Sequence, residues 1–569
     1  MNREPLLPAW LRDLKLRYLS GEASMFLVHG NVRDVYPWEG PDGRTTYLPL
    51  RQLLDQFFGR SKDVVVYYNL SEGVEHPDKV TEKRFTTALN ARLALKGEVW
   101  DGELPRRPSE ILPLLEELVM DAGLRMSLVI DYAEMVVPNG DLSFMGDTDK
   151  GNLVTLQRWS NDPALLQSDN IIVLVAENLA DVNRRLVSSA TLAAVSVSLP
   201  DQEERLAFIQ ATDRRGITVE MDDLGLSKIT AGLSLVQIRG LFRRARQAAE
   251  PITYRSVSAR KKNIIEQECH GLVEFVSPNH DFSHVGGQSR LKEDLLRVAT
   301  AIKKGQANRV PMGIIFVGPM GTGKTFIAEA FAAESGLTCL KFKNFREKWV
   351  GSTEGNLEKI LQVVDGLGYV LLILDEADRS MGSSSDGDGG TSSRVIARLK
   401  EFMSDTSHRG RVVILMMTNR PDKLDTDLKR PGRFDLKIPF FFPESVEERQ
   451  NVMLAVLRKA KVRFDPAADL GPAAVATDGY SAAELEAVVL AAVGRANDAD
   501  RDVVAGEDIA AAVSDVIPSR DTRMLEFMEM LAVFESSSRR MLPERFQAMR
   551  TDEVHARLDV LRAALGHRV

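Results

Sequence analysis

Four apolar residues, Ile314-Ile315-Phe316-Val317, break into Gly318-Pro319-Met320-Gly321-Thr322-Gly323-Lys324-Thr325. No other stretch restricts the possible folds as tightly. It reads as a buried strand feeding a phosphate-binding loop that opens onto a helix over residues 326–334. The glycines let successive backbone N–H groups converge on phosphate oxygens, and the helix N-terminus favours negative charge. In this pattern Lys324 reaches the β- and γ-phosphates and the Thr325 hydroxyl ligates Mg²⁺. Taken alone, the same letters also describe a glycine-rich turn between a strand and a helix.

Residues further along the chain narrow the choice. Val370-Leu371-Leu372-Ile373-Leu374-Asp375-Glu376 is an apolar strand ending in two carboxylates about fifty residues after the loop. The pair suits a division of labour in which Asp375 holds Mg²⁺ through its water shell and Glu376 activates the attacking water as general base. The next apolar run, 412–417, ends in Thr418-Asn419, which puts an amide where it can orient that water.

The run Thr418-Asn419-Arg420-Pro421-Asp422-Lys423-Leu424-Asp425, followed by Arg430-Pro431-Gly432-Arg433-Phe434-Asp435, resembles the second region of homology of the AAA clade of AAA+ ATPases. That clade includes FtsH proteases, proteasomal ATPases and membrane-fusion ATPases. The resemblance covers about 281–517. It implies ATP and Mg²⁺ as cofactors and assembly as a homo-oligomer, usually a hexameric ring. It also implies that Asn419 is a sensor of the γ-phosphate and that Arg430 and Arg433 are fingers reaching the neighbouring subunit's nucleotide. As permanently charged planar donors they suit that task. His284-Val285-Gly286-Gly287 is similar to the family's Asp-Ile-Gly-Gly segment beside adenine, with His284 in place of the acid. Gly479-Tyr480-Ser481-Ala482-Ala483-Glu484-Leu485 resembles the Gly-Phe-Ser-Gly-Ala-Asp-Leu segment near adenine and ribose, so Val285, Gly286, Gly479 and Ala483 join the expected nucleotide contacts. Trp349-Val350-Gly351 matches the aromatic-hydrophobic-glycine pore loop with which threading members of the family grip polypeptide; its plain alternative is a core tryptophan. The glycine- and serine-rich stretch over 382–393 falls where the family has a second pore loop, and fits a surface loop equally well.

Residues 1–250 have the strand-helix alternation of an α/β domain with a parallel sheet, with strands expected at 25–29, 64–68, 127–131, 171–176 and 194–199. This half repeats landmarks of the second in order. Ser127-Leu128-Val129-Ile130-Asp131 answers 371–375, and 172–178 answers 413–419. Forty-seven residues separate Asp131 from Asn178, against forty-four from Asp375 to Asn419. Pro200-Asp201-Gln202-Glu203-Glu204-Arg205 answers 443–449, and Gly232-Leu233-Ser234 answers Gly479-Tyr480-Ser481. The chemistry is missing from the first copy: His29-Gly30-Asn31-Val32 stands where the phosphate loop belongs, and Asp131-Tyr132 replaces Asp375-Glu376. Asp131 and Glu134 therefore read as strand-end polar residues, and the domain as a scaffold that hydrolyses nothing.

The expected architecture is thus an α/β, P-loop NTPase parallel sheet with a helical lid (AAA+), preceded by a degenerate AAA-like α/β domain. The boundaries expected are 1–250 for the degenerate domain, 251–280 for a linker, 281–442 for the ATPase core, 443–517 for the lid and 518–569 for a helical extension. Within the linker His270 and His280 read as solvated. In the extension, Met524, Phe527, Met528, Met530, Leu531, Val533 and Phe534 read as a packing face.

A net charge of −8 over 569 residues and the lack of an aromatic-basic recognition module argue against nucleic-acid binding. Two cysteines, Cys269 and Cys339, fit a reducing compartment with neither disulfides nor a zinc site. No apolar run approaches membrane-spanning length, so the expectation is a cytoplasmic protein without membrane insertion. The expected function is an ATP-driven motor that unfolds, extracts or remodels protein substrates, with an ATP-dependent switch or assembly factor as the alternative.

Overall fold

The computed structural model describes all residues except 1–6, 41–42, 98–101, 141, 144, 270, 343–352, 378–390, 466–467, 520 and 567–569, together with the side chains of 353–355 and 391–395. Two compact units account for the chain, the first formed mainly by residues 1–265 and the second mainly by residues 266–569.

The first unit is built on β1 (Met25–Gly30), β4 (Val64–Asn69), β6 (Met126–Asp131), β7 (Ile171–Ala176) and β8 (Leu192–Val197), with β5 (Gly73–Glu75) on one edge. An antiparallel ribbon of β2 (Val35–Glu39) and β3 (Thr45–Pro49) lies beside it. The sheet order is β5-β4-β6-β7-β1-β8, parallel throughout except for the hairpin partner β5. The central strands are largely apolar because both faces are covered, with His29 and Ser127 as buried polar exceptions. One face packs Leu112, Leu115, Leu128 and Trp159, and the other Leu11, Leu53, Phe26 and Val173. The last strand lies two residues earlier than its expected place, since Leu199 already belongs to the turn leading to Pro200 and the capping Asp201. Helices Gln202–Ala211, Asp223–Ile229 and Leu235–Ala248 follow, with a short parallel bridge between Val219 and Ile252.

The second unit repeats this plan. Its strands are β9 (Val273–Phe275), β10 (Gly313–Val317), β11 (Thr338–Phe342), β12 (Val370–Leu374), β13 (Val412–Thr418) and β14 (Leu436–Pro439). They lie in the order β9-β11-β12-β13-β10-β14, with only β9 antiparallel. A helical lid of Val446–Lys459, Gly471–Ala476, Ala482–Asp498 and Gly506–Asp515 closes around Met453, Leu485, Val489 and Ile509. Its short parallel pair, Arg463–Phe464 with Val503–Val504, matches the bridge of the first unit.

Two further helices, Thr522–Glu535 and Thr551–Leu565, pack on each other. The first of them buries Phe527, Met528, Met530 and Leu531 and lies beside β14, so the methionine-rich face is core packing, while Phe534 is exposed. Among the described residues, no helix is long and apolar enough to cross a membrane.

Candidate nucleotide site

The loop after β10 occupies the end of the sheet where open α/β folds hold ligands, outside the carboxyl ends of the strands. Its glycines are there for clearance. A Cβ on Gly318 would sit 2.3 Å from the Phe440 carbonyl oxygen, and one on Gly321 would sit 2.9 Å from Ser481 Oγ. The Lys324 ammonium donates to the carbonyls of Gly318 and Pro319 at 2.9 and 2.7 Å. Thr322 Oγ1 donates to the Pro319 carbonyl at 2.9 Å, which ties the loop to itself. The helix Lys324–Ser335 then starts directly from Gly323.

A cavity of about 840 Å³ joins this loop to the rest of the unit. Met320, Gly321, Thr322, Gly323, Lys324 and Thr325 line it from the loop, Asp375 and Glu376 from the end of β12, and Asn419 from the end of β13. Val285 and Gly286 close it from the segment before the helix Ser289–Lys303, and Ala483 from the lid. Gly286 is required by contact: a Cβ there would lie 2.3 Å from the Asn451 carbonyl oxygen. Gly318, Pro319 and Gly479 support the wall from behind without lining it. Gly479 has φ +76, the left-handed value that turns the chain into the lid helix, and the Ala483 N–H donates to the Gly321 carbonyl at 3.0 Å. The lid helix thus bonds directly to the phosphate loop.

At the carboxylate end, Asp375 Oδ2 accepts from the Lys341 ammonium at 2.8 Å and Oδ1 from the Glu376 N–H at 3.0 Å. Glu376 has φ +48, a left-handed conformation rare outside glycine. Arg430 and Arg433 do not line the cavity. Arg430 is 73% exposed and pairs with Asp427 at 3.1 Å; Arg433 Nη1 donates to the Asp427 carbonyl at 2.8 Å. Trp349-Val350-Gly351 lies outside the described residues, as does most of 382–393 and all of His270.

His280 is not solvated. It is buried and stacked on the Phe326 ring at 3.9 Å, with its Nε2 2.8 Å from the Phe326 carbonyl. A turn-rich sequence around it hides the fact that the segment is laid against the first turn of the loop's helix. Sequence reading also missed contributors to the cavity. Gln288, whose amide donates to the Thr322 carbonyl at 3.3 Å, and Phe441 were available as neighbours of recognised segments. Leu542 and Pro543 carried no local signal at all.

A strand, a glycine loop, a lysine at the head of a helix and a carboxylate pair converging on one cavity define a P-loop nucleoside triphosphatase of the AAA+ class. Domains of the AAA ATPases and of AAA+ chaperones are matched along the chain. The AAA family (ATPase family associated with various cellular activities) matches residues 314–442. The AAA+ chaperone N-terminal Rossmann-like domain matches 2–198, and the AAA+ chaperone second helical domain matches 203–270. An AAA domain-containing protein, ycf46, of Trieres chinensis is 29% identical over 302 residues, 52% of this chain and 60% of that protein. The ATP-dependent zinc metalloprotease FtsH of Lancefieldella parvula is 32% identical over 247 residues, 42% of this chain and 38% of that one. The proteasome-activating nucleotidase of Methanocella arvoryzae is 31% identical over 268 residues, 45% and 63% of the two chains. The chain spans between 38% and 63% of the length of these relatives.

Proposed function

We propose that this ATPase is a ring-forming motor, a hexamer by analogy with its class, that couples hydrolysis in its second unit to unfolding, extracting or remodelling protein substrates. The observation that supports a ring is the separation of parts. One cavity gathers the phosphate loop, Asp375, Glu376 and Asn419, whereas Arg430 and Arg433 do not line it on the same subunit. Arginines outside their own site are placed to serve a neighbour's, where they stabilise charge developing on the transferred phosphoryl group.

Within one site, the loop N–H groups and Lys324 bind the phosphates, and the hydroxyl of Thr325 with the carboxylate of Asp375 offers the hard oxygen donors that suit Mg²⁺. When bound, the ion neutralises charge between the β- and γ-phosphates. Lys341 and the Glu376 N–H hold Asp375 in one orientation. Glu376 takes the proton of the attacking water and Asn419 orients that water. Val285, Gly286 and Ala483 flank the base and sugar. The first unit hydrolyses nothing and acts as scaffold or docking surface. Trp349, Val350 and Gly351 grip the threaded chain. The protein works in the cytoplasm, in keeping with two buried cysteines, neither of them in a disulfide.

The test is the ATPase rate against protein concentration for wild type and Glu376→Gln, with particle mass read on the same samples. The motor requires turnover that rises with assembly and vanishes in Glu376→Gln while nucleotide binding survives. A monomer that binds ATP and hardly turns it over points to the switch instead. Trp349→Ala separates the two further: threading collapses with basal ATPase intact in a motor, and a switch loses neither function.

A further inference from the structure

The nucleotide cavity has a wall that belongs to none of the motifs. Met541, Leu542, Pro543 and Glu544 line it from the turn that follows the helix Thr522–Glu535. They stand with Phe441, Pro443 and Glu444, and Met541 packs on the same apolar group as Val285 and Leu291. These neighbours place the wall toward the segment read as flanking the base, while Asp375 and Glu376 mark the carboxylate end.

The wall is anchored on both sides by charge. Before it, Arg540 pairs with Asp294, a largely buried carboxylate on the helix that begins just after Gly286-Gly287. After it, Arg545 Nε donates to Glu444 at 2.5 Å and its Nη2 to the buried Glu529 at 3.1 Å. The Phe546 ring packs on Phe441, with centroids 5.5 Å apart. Upstream, Ser537 prolongs the sheet edge, its N–H donating to the Lys437 carbonyl at 3.1 Å, and the buried Glu535 pairs with both Lys429 and Lys437. Each anchor thus grips an element that itself borders the cavity or the adjoining edge of the sheet.

We propose that residues 541–544 are a nucleotide-contacting wall at the base and sugar end of the site, and that through it nucleotide binding and docking of the helices Thr522–Glu535 and Thr551–Leu565 stabilise each other. This rests on the ATP site proposed above. The physical reason is linkage: a ligand that touches a docked segment favours its docked state, and the docked segment raises the affinity for the ligand by the same factor. Leu542 and Pro543 present apolar surface suited to a planar base, and Arg540 and Arg545 hold that surface without lining the cavity themselves.

The test uses the full chain, ADP with Mg²⁺ as the titrant, and calorimetry. Arg540→Ala combined with Arg545→Ala weakens ADP binding about tenfold, while kcat at saturating ATP stays within about twofold, the signature of lost binding without lost chemistry. In the wild type, ADP slows amide exchange at residues 536–550, a readout that does not depend on any variant folding and that a merely structural wall would not give. An unchanged ADP affinity in the folded double variant overturns the proposal, and so does exchange at 536–550 that ignores ADP. Lys324→Ala separates this from the site itself: if that variant binds ADP like wild type, the nucleotide site is misplaced. If it loses binding while the double variant keeps it, only the wall is wrong.

Discussion

The two halves of this chain follow one plan and differ where chemistry is done. The five parallel strands of each sheet share their order, and the strands that end the two central apolar runs finish in the same turn. Tyr132 has φ +54 and donates its N–H to Asp131 Oδ1 at 2.9 Å, as Glu376 with φ +48 does to Asp375. The helical parts agree as well. Capping boxes start the helices at Asp201 and Ser234, and again at Ser445 and Ser481. Buried Arg205 donates to the carbonyls of Ser227 and Pro200, and buried Arg449 to those of Ala474, Pro443 and Glu444.

At the place of the phosphate loop the copies part. The first unit sets its own charges there, on the wall of a cavity of about 730 Å³. Arg33 lies 2.9 Å from Asp131 and 3.4 Å from Glu177, and stacks over Tyr132 at 4.1 Å. Asp34 accepts the N–H groups of Leu235 and Val236 at 2.9 and 2.8 Å, at the helix start that corresponds to Ala482 and Ala483. Both strand-end carboxylates carry an internal cation, Arg33 on Asp131 and Lys341 on Asp375, but the helix start that meets the phosphate loop in the second unit meets the Asp34 carboxylate in the first. The lesson is that a fold can keep its packing signals, caps and buried arginines while its active site is replaced by a few charged side chains.

The largest effect that would break this contrast is loss of ATP binding in Lys324→Ala. Binding and turnover by the whole chain should fall below about 1% of wild type, since Lys324 is the loop's charged phosphate donor. Saturable ATP binding left in that variant would show that the first unit takes nucleotide. Next, Glu376→Gln should lower kcat by about 10²- to 10³-fold with affinity retained. Tyr132→Glu, the matching change in the first unit, should restore no turnover to it, because His29-Gly30-Asn31-Val32 stands there in place of a phosphate loop. A smaller effect sharpens the likeness. Arg205→Ala and Arg449→Ala should each cost their own unit about 2–3 kcal/mol in chemical denaturation, because buried carbonyls lose their donor. Unequal costs would mean that the shared geometry carries different weight. Asp34→Ala should cost the first unit about 1 kcal/mol, the value of a lost cap, with ADP affinity unmoved. Least of all, Cys339, whose thiol burial pushes up to about 12, should resist alkylation at pH 8 until the second unit unfolds; rapid labelling of native protein would place β11 closer to solvent than its packing shows.

Much of this was legible because the signals are local. A buried parallel strand is largely apolar, so β1, β4, β7, β10 and β12 announce themselves as runs, and a phosphate loop needs its glycines and lysine within eight consecutive residues. The likeness of the two halves was readable for the same reason, since caps and strand ends occupy fixed places along the chain. Beyond reach were contacts closed by folding. Arg33 meeting Glu177 spans 144 residues, Asp34 meeting Leu235 spans 201, and Arg540 meeting Asp294 spans 246. His280 misled because local polarity says nothing about a ring laid on Phe326. The sequence by itself therefore determined the sheet, the ATP-binding loop and the loss of that loop in the first half, all properties of neighbours in the chain. Only the tertiary structure decided which charges line the first unit's cavity and which late segment walls that of the second, because charge pairing and cavity shape depend on distance in space.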